Sequence, residues 1–344
     1  MTDFDQYLRQ SEPHKREKGY AWQTAIGLQA VDGLRPSDYL IETARQHIEG
    51  DITMYEVQER IKSYYRLKAV RTKDSEDTEE ADKASANITE LLNEQTFAFT
   101  VAGLTAVHRR IFDGVFKFAG KIRDYNITKK EWVLEGDSVL YVSAPDIRKA
   151  IEYDIEQEKV FDYIGLSMEQ VVSHITKFVS GLWQIHPFGE GNTRTVAIFT
   201  IQHLRSMSFN VGNEPFAKHS WYFRNALVRA NYQNIQKGVS RNPEYLERFF
   251  RNLLMREKNE LRNRSMLIGR KLDIKTQSAS SQEEKDPKCE ICTLDCTLEE
   301  TSVLQYIKEN PRATQKEIAV HIGKSERTVN SITVSLVTSG IIER

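Results

Sequence analysis

Residues 168–207 read MEQVVSHITKFVSGLWQIHPFGEGNTRTVAIFTIQHLRSM, two apolar helical patterns with one polar interruption. Ser167 and Gln170 form a capping box, and Val171, Ile175, Phe178, Val179 and Leu182 recur at helical spacing, which predicts a core helix ending near Ile185. Thr193 to Met207 carries Val196, Ile198, Phe199, Ile201 and Leu204, a second largely buried helix. The interruption, HPFGEGNTR at His186–Arg194, is therefore the turn between two core helices.

Such a turn presents free backbone N–H groups at the start of the second helix, where the macrodipole adds partial positive charge and phosphate oxygens bind well. Gly189 and Gly191 let the backbone curl close to a ligand, Asn192 can cap or donate, and Arg194 offers a two-pronged fork to a phosphate. Glu190 presents a carboxylate suited to Mg2+, which enters such sites through one or two carboxylates plus substrate phosphates. His186 stands where it can take a proton from an attacking hydroxyl. Taken singly, each has a bland alternative: a histidine at a helix end, an acid in a first turn and an Asn-Arg pair all serve capping and the dipole. Their convergence in one turn favours the chemical reading.

These residues resemble the signature of the Fic family, H-x-F-x-[D/E]-G-N-G-R-x-x-R, over roughly Phe97 to Leu261. The resemblance implies a mainly α fold: a Fic-type helical bundle with a β-hairpin flap. It implies a protein adenylyltransferase moving AMP from ATP, the co-substrate, to a Tyr, Ser or Thr hydroxyl of a target protein. His186 would be the general base, Phe188 an inward anchor, Glu190 the Mg2+ ligand, and Gly189, Gly191, Asn192, Thr193 and Arg194 the nucleotide-binding set. The flap clamps the target by strand addition, and residues 125–142, rich in β-formers around Glu135-Gly136-Asp137, are expected to be that hairpin.

Two positions depart from the signature. Thr193 replaces a glycine and is expected to narrow the approach to the phosphates; Ala197 replaces the second arginine, for which Arg224 or Arg229 are candidate substitutes. Transfer of another phosphorylated group, or a nucleotide-binding regulator of transcription or antitoxin type, are the alternatives. The family's inhibitory motif, S/T-x-x-x-E-G/N, is approached by Ser85 to Glu90, with the glutamate one residue late and so about 100° farther round the helix.

Outside that region, residues 1–96 form an expected helical module, of which about Ile26 to Tyr65 weakly resembles the small antitoxins that accompany some Fic proteins. Residues 1 to 19 are charged and expected to be loosely held, and Ala21 to Tyr65 is helical with breaks at Gly33 to Pro36 and Gly50 to Thr53. Arg71 to Lys83 reads as a solvated connection before a helix Ala84 to Asn93. The catalytic core is 97–265, and 266–296 is a linker. All three cysteines, Cys289, Cys292 and Cys296, fall in that linker, too few for a disulfide framework and lacking an obvious fourth zinc ligand.

Residues 297–344 resemble a small helix-turn-helix domain of winged type, with Glu326, Arg327, Asn330, Ser331 and Thr333 on the face that would meet a major groove. Three Lys and three Arg there balance six Glu, so DNA and a protein partner are both expected occupants. For the whole chain of 344 residues, a formal net charge of -1 excludes a global attraction to nucleic acid or anionic membranes. No apolar run spans a bilayer and the first residues lack a signal-peptide core, so the expectation is a cytoplasmic protein without membrane contact; an oligomer is compatible with the sequence.

Overall fold

In this computed structural model, residues 4–9, 12–67, 73–94, 96–211 and 214–269 are described, together with stretches between 303 and 333. The chain divides into two compact units, residues 1–269 and 270–344. The first contains α1 (Asp5–Leu8), α2 (Pro13–Gly27), α3 (Asp38–Glu49), α4 (Met54–Leu67), α5 (Lys73–Asn93), α6 (Val101–Ile111), α7 (Ile147–Lys159), α8 (Met168–Ile185), α9 (Asn192–Ser206), α10 (Glu214–Asn231) and α11 (Glu244–Met255).

Local signals set many of these boundaries. Ser37 accepts from the Leu40 amide to start α3, which stops where Gly50 turns left-handed at φ 93°. Thr53 and Glu56 form the expected capping box ahead of α4, and Ser167 with Gln170 does the same for α8. From Asn192 to Leu204 every residue of α9 is buried, so this helix is the axis of the unit, with α5, α6 and α8 packed around it. A helix buried all round has no amphipathic stripe to announce it.

Two expectations about the N-terminal region are corrected. Residues 1 to 19 are not loosely held where described: Phe4 and Tyr7 are buried in an apolar cluster with Trp22, Leu40, Ile48, Val57 and Ile61. The stretch up to Lys83 is not a solvated connection either, since Lys73–Asn93 is one helix. Its charges include a fully buried acid, Asp82, which accepts hydrogen bonds from the Ser37 amide and hydroxyl (2.8 and 2.5 Å) and from the Tyr65 hydroxyl (2.6 Å). A buried carboxylate is tolerable because three donors replace its water.

The β-hairpin is a third correction. Residues 125–142 contain no strand; Trp132–Leu134 wind into a 3-10 turn and the segment is otherwise irregular. The turn signal itself holds, with Glu135 at φ 53° and Gly136 at φ 92°. The flanks meet only next to the turn, where the Glu131 amide donates to the Asp137 carbonyl at 2.9 Å and the Gly136 amide to the Glu131 carbonyl at 3.1 Å, and no strand extends from that contact. Side chains take ladder positions instead: the Lys129 amide donates to Ser138 Oγ at 3.3 Å.

In the second unit, α12 (Gln315–Ile322) starts at a Thr314 and Glu317 capping box, and Val303, Ile318, Ala319 and Val329 form its core. The cysteines, Arg327, Ser331 and all of 334–344 lie outside the described residues.

Candidate active site

The turn between α8 and α9 is held from three sides. His186 caps α8 in the left-handed region at φ 51°, an uncommon conformation for a residue with a side chain. Arg123, itself buried, stabilises it: its Nε donates to the His186 carbonyl (2.8 Å), and its two terminal nitrogens donate to the carbonyls of Tyr125 and Val142, both at 2.6 Å. One guanidinium thus ties both ends of 125–142 to the backbone of the candidate base. Asn192 closes the turn by accepting from the Phe188 amide (2.9 Å) and donating to the Phe188 carbonyl (2.8 Å). Gly191 lies at φ 74°, and a Cβ there would overlap the Phe112 ring, so only glycine fits.

Beneath the turn, Phe188 stacks on His108 with ring centroids 3.8 Å apart. His108 Nδ1 accepts from the Gly120 amide (2.8 Å), which leaves Nε2 as the donor to the Glu190 carbonyl at 3.1 Å. Burial, foremost, holds this imidazole at about 4, so it is neutral and structural. Sequence reasoning missed His108, Arg123 and the acids described below. Their partners are backbone carbonyls and distant side chains, for which local spacing carries no signal.

His186 is 3% exposed, and neither ring nitrogen has a hydrogen-bond partner. The Tyr141 ring covers it at 4.1 Å and Trp183 meets it edge-on at 5.3 Å. Burial, reinforced by the charges of Lys129 and Arg224, holds its pKa well below the usual 6.5, so the ring is a neutral acceptor at physiological pH. Glu190 is 41% exposed at its side chain and pairs with Lys129 Nζ at 2.8 Å. No group of three or more potential metal-binding side chains occurs among the described residues. A half-exposed single carboxylate beside a helix N-terminus fits Mg2+ that arrives with phosphates, rather than a metal caged by protein. The amides of Asn192, Thr193 and Arg194 lie in the first turn of α9, which has no intrahelical acceptors for them.

Arg194 does not face the ligand side of the loop. Its side chain is fully buried and committed to the N-terminal region: to Gln29 at 2.9 Å, Glu80 at 2.6 Å and Asp32 at 2.9 Å, above the Phe112 ring at 4.7 Å. Glu80, in the stretch expected to be solvated, therefore meets the loop. Glu90, the out-of-register inhibitory candidate, instead accepts from Gln58 at 3.2 Å and lies 3.8 Å from Arg110.

The departures from the signature also resolve. Thr193 Oγ1 accepts from Trp183 Nε1 at 3.0 Å, so its side chain points into the core and does not narrow the approach. Ala197 is fully buried, so the place of the absent arginine is packed. Arg224 lies at the site, 3.0 Å from Glu131, whose Oε1 also accepts from the Tyr141 hydroxyl at 3.3 Å. Arg229 does not; it is buried among Tyr232 and Tyr245.

Residues 98–204 match the Fic/DOC family, and residues 300–343 match the winged helix-turn-helix DNA-binding family. The fold is similar to the N-terminal FIC domain of a VirB-translocated effector protein from Bartonella sp. 1-1C (TM-score 0.43, 17% identity, 55% of this chain and 88% of that one). It is similar to BepC from Bartonella tribocorum, solved with bound AMPPNP (TM-score 0.42, 17% identity, 54% and 90%). A Fic family protein from Desulfovibrio desulfuricans G20 aligns over 96% of this chain and 82% of its own, at TM-score 0.45 and 12% identity. No helix among the described residues is long and apolar enough to cross a membrane.

Proposed function

We propose, starting from the Fic/DOC domain at residues 98–204, that this chain is a protein adenylyltransferase acting through the loop His186–Arg194. The observation that carries the proposal is the neutral imidazole of His186, with two unpartnered ring nitrogens, in the turn that leads into the N-terminus of α9. The other buried histidines, His47, His108 and His203, each bond through at least one ring nitrogen.

In the proposed reaction a target hydroxyl attacks the α-phosphorus of ATP in line. The new P–O bond forms as the bond to pyrophosphate breaks, and His186 accepts the hydroxyl proton. The amides at the start of α9 bind phosphate oxygens, and Asn192 and Gly191 fix the loop that carries them. Mg2+, when bound, would sit on Glu190 and neutralise phosphate charge. Because Tyr141 covers His186 and Lys129 occupies Glu190, turnover requires residues 125–142 to lift away from the loop. That segment is also the proposed seat of the target protein, with Leu140 exposed on it.

The test is incubation of the full chain with Mg2+, cell extract and each nucleoside triphosphate carrying label at the α-phosphate. Label on protein from wild type, absent with His186→Ala and Glu190→Ala, supports the proposal; equal labelling by all three removes it. A parallel incubation with label at the γ-phosphate separates nucleotidyl from phosphoryl transfer, since protein labelled from the γ-position marks the latter, and the choice of nucleoside triphosphate separates adenylyl transfer from transfer of another nucleotide. For the C-terminal unit, the family match supports duplex DNA as partner, checked by a salt-dependent gel shift.

A further inference from the structure

Proton transfer to His186 requires one ring nitrogen to face the attacking hydroxyl, so the angle of the ring matters as much as the place of its backbone. The backbone is fixed by Arg123 and by the left-handed turn. The ring is held differently: neither nitrogen bonds to another side chain or to backbone, so rotation about the side-chain bonds is limited by packing alone. Two aromatic rings supply that packing, Tyr141 at 4.1 Å and Trp183 at 5.3 Å, the second nearly perpendicular at 89°. Tyr141 belongs to the 125–142 segment that lifts for turnover, whereas Trp183 belongs to α8. Once the segment lifts, the aim of the base falls to Trp183.

Trp183 is itself anchored by one bond. Its indole Nε1 donates to Thr193 Oγ1 at 3.0 Å, from α8 to the first turn of α9, and both residues are buried. A buried N–H without an acceptor is costly, so this bond selects one orientation of the indole among those that packing admits. Glycine, the signature residue at position 193, has no side chain with which to accept; the threonine of this chain does. The Thr193 hydroxyl thus joins the turn whose amides are proposed to bind phosphate to the ring proposed to take the proton.

Building on the adenylyltransferase reading, we infer that Thr193 and Trp183 are positioning residues for the reaction: the Thr193 hydroxyl fixes the Trp183 indole, and the indole fixes the His186 ring while Tyr141 is lifted. Neither touches substrate. The consequence is a split between steps. Loss of the bridge slows transfer and leaves nucleotide binding intact, because the Thr193 side chain faces the core and its backbone amide is unchanged.

The experiment is label transfer by the full chain from α-labelled ATP over a range of concentrations, in Mg2+ and a fixed amount of cell extract, giving kcat and KM for ATP, with calorimetric titration of ATP alongside. The variants are T193V, which keeps the side-chain shape and removes the acceptor; T193S, which keeps the acceptor; W183F, which removes the donor; and W183F/T193V. T193V and W183F are each expected to lower kcat about tenfold to a hundredfold, the cost of a misaimed base, with KM and ATP affinity within about twofold of wild type. T193S is expected to hold kcat within about twofold of wild type, although serine fills less space than valine, an order that loss of packing does not produce. Because the bridge breaks only once, the double variant is expected to match the single variants rather than multiply their losses. It leaves no buried donor unmet, which covers the case in which T193V fails to fold. Wild-type kcat in T193V or in the double variant, equal loss of kcat in T193S and T193V, or a raised KM with kcat unchanged overturns the inference while the transferase reading stands. A wild-type chain that transfers no label overturns the transferase reading and the inference with it.

Discussion

At the scale of single residues, the site depends on groups kept neutral or kept turned. His186 is held neutral by burial first and by Lys129 and Arg224 second, with its pKa well below 6.5. The kcat/KM for label transfer, which reports the free enzyme with Tyr141 over the ring, is therefore expected to show no acid limb centred at 6.5; a steep limb there in a pH profile of kcat/KM would contradict this placement of the base. Thr193 makes a separate prediction. Its hydroxyl accepts the Trp183 indole N–H at 3.0 Å, so Thr193→Gly leaves a buried donor unmet and is expected to cost about 1–3 kcal/mol of stability in chemical denaturation. Nucleotide affinity should not improve, because the side chain faces the core. The turn that gathers His186, Glu190 and the glycines between two core helices was legible in the sequence because it sits within nine consecutive residues. The direction of Thr193 and Arg194 was not, since a helix start constrains spacing and says nothing of which tertiary partner a side chain finds.

Among elements, α5 and the segment 125–142 converge on the loop between α8 and α9. Arg194 joins α9 to Glu80 on α5 and to Asp32. Arg194→Met is expected to destabilise the fold by about 3–5 kcal/mol, the cost of leaving buried acids without their cation, as a lowered denaturation midpoint would show. A variant as stable as wild type would mean the three groups are not coupled. On the other side, Lys129 pairs with Glu190, and under the proposed function it competes with Mg2+ for that carboxylate. Lys129→Ala is expected to lower the Mg2+ concentration for half-maximal nucleotide binding about threefold to fivefold, as for loss of a partly exposed pair. The starts of α4 and α8 were predictable from capping boxes at Thr53 and Ser167, and α8 and α9, which flank the loop, from their apolar spacing. The α5 extension and the missing hairpin were not. Charge density reads as solvation until Arg194, Ser37 and Tyr65 supply partners, and β-forming residues read as strands until a side chain such as Arg123 takes the carbonyls of Tyr125 and Val142.

For the whole molecule, residues 1–269 are one compact unit in which α2 and α5 contribute to both apolar clusters. Two buried histidines link that packing to pH. His47 accepts from Trp22 Nε1 at 3.0 Å, His108 supports the loop, and burial foremost lowers both from 6.5 to about 4. Between those values the unfolded chain binds more protons than the folded one, so stability is fully present above 6.5 and is lost as pH falls through about 4. Each histidine should contribute on the order of 2 kcal/mol, allowing for partial solvent screening. Denaturation at a series of pH values checks this, and a flat profile over that range would contradict it. The central claim, that the loop binds a nucleotide and His186 takes the proton, is tested most directly by single-turnover transfer from α-labelled ATP with nucleotide binding measured in parallel. The account predicts that His186→Gln binds ATP as tightly as wild type and transfers no label. Transfer at the wild-type rate by that variant would contradict it.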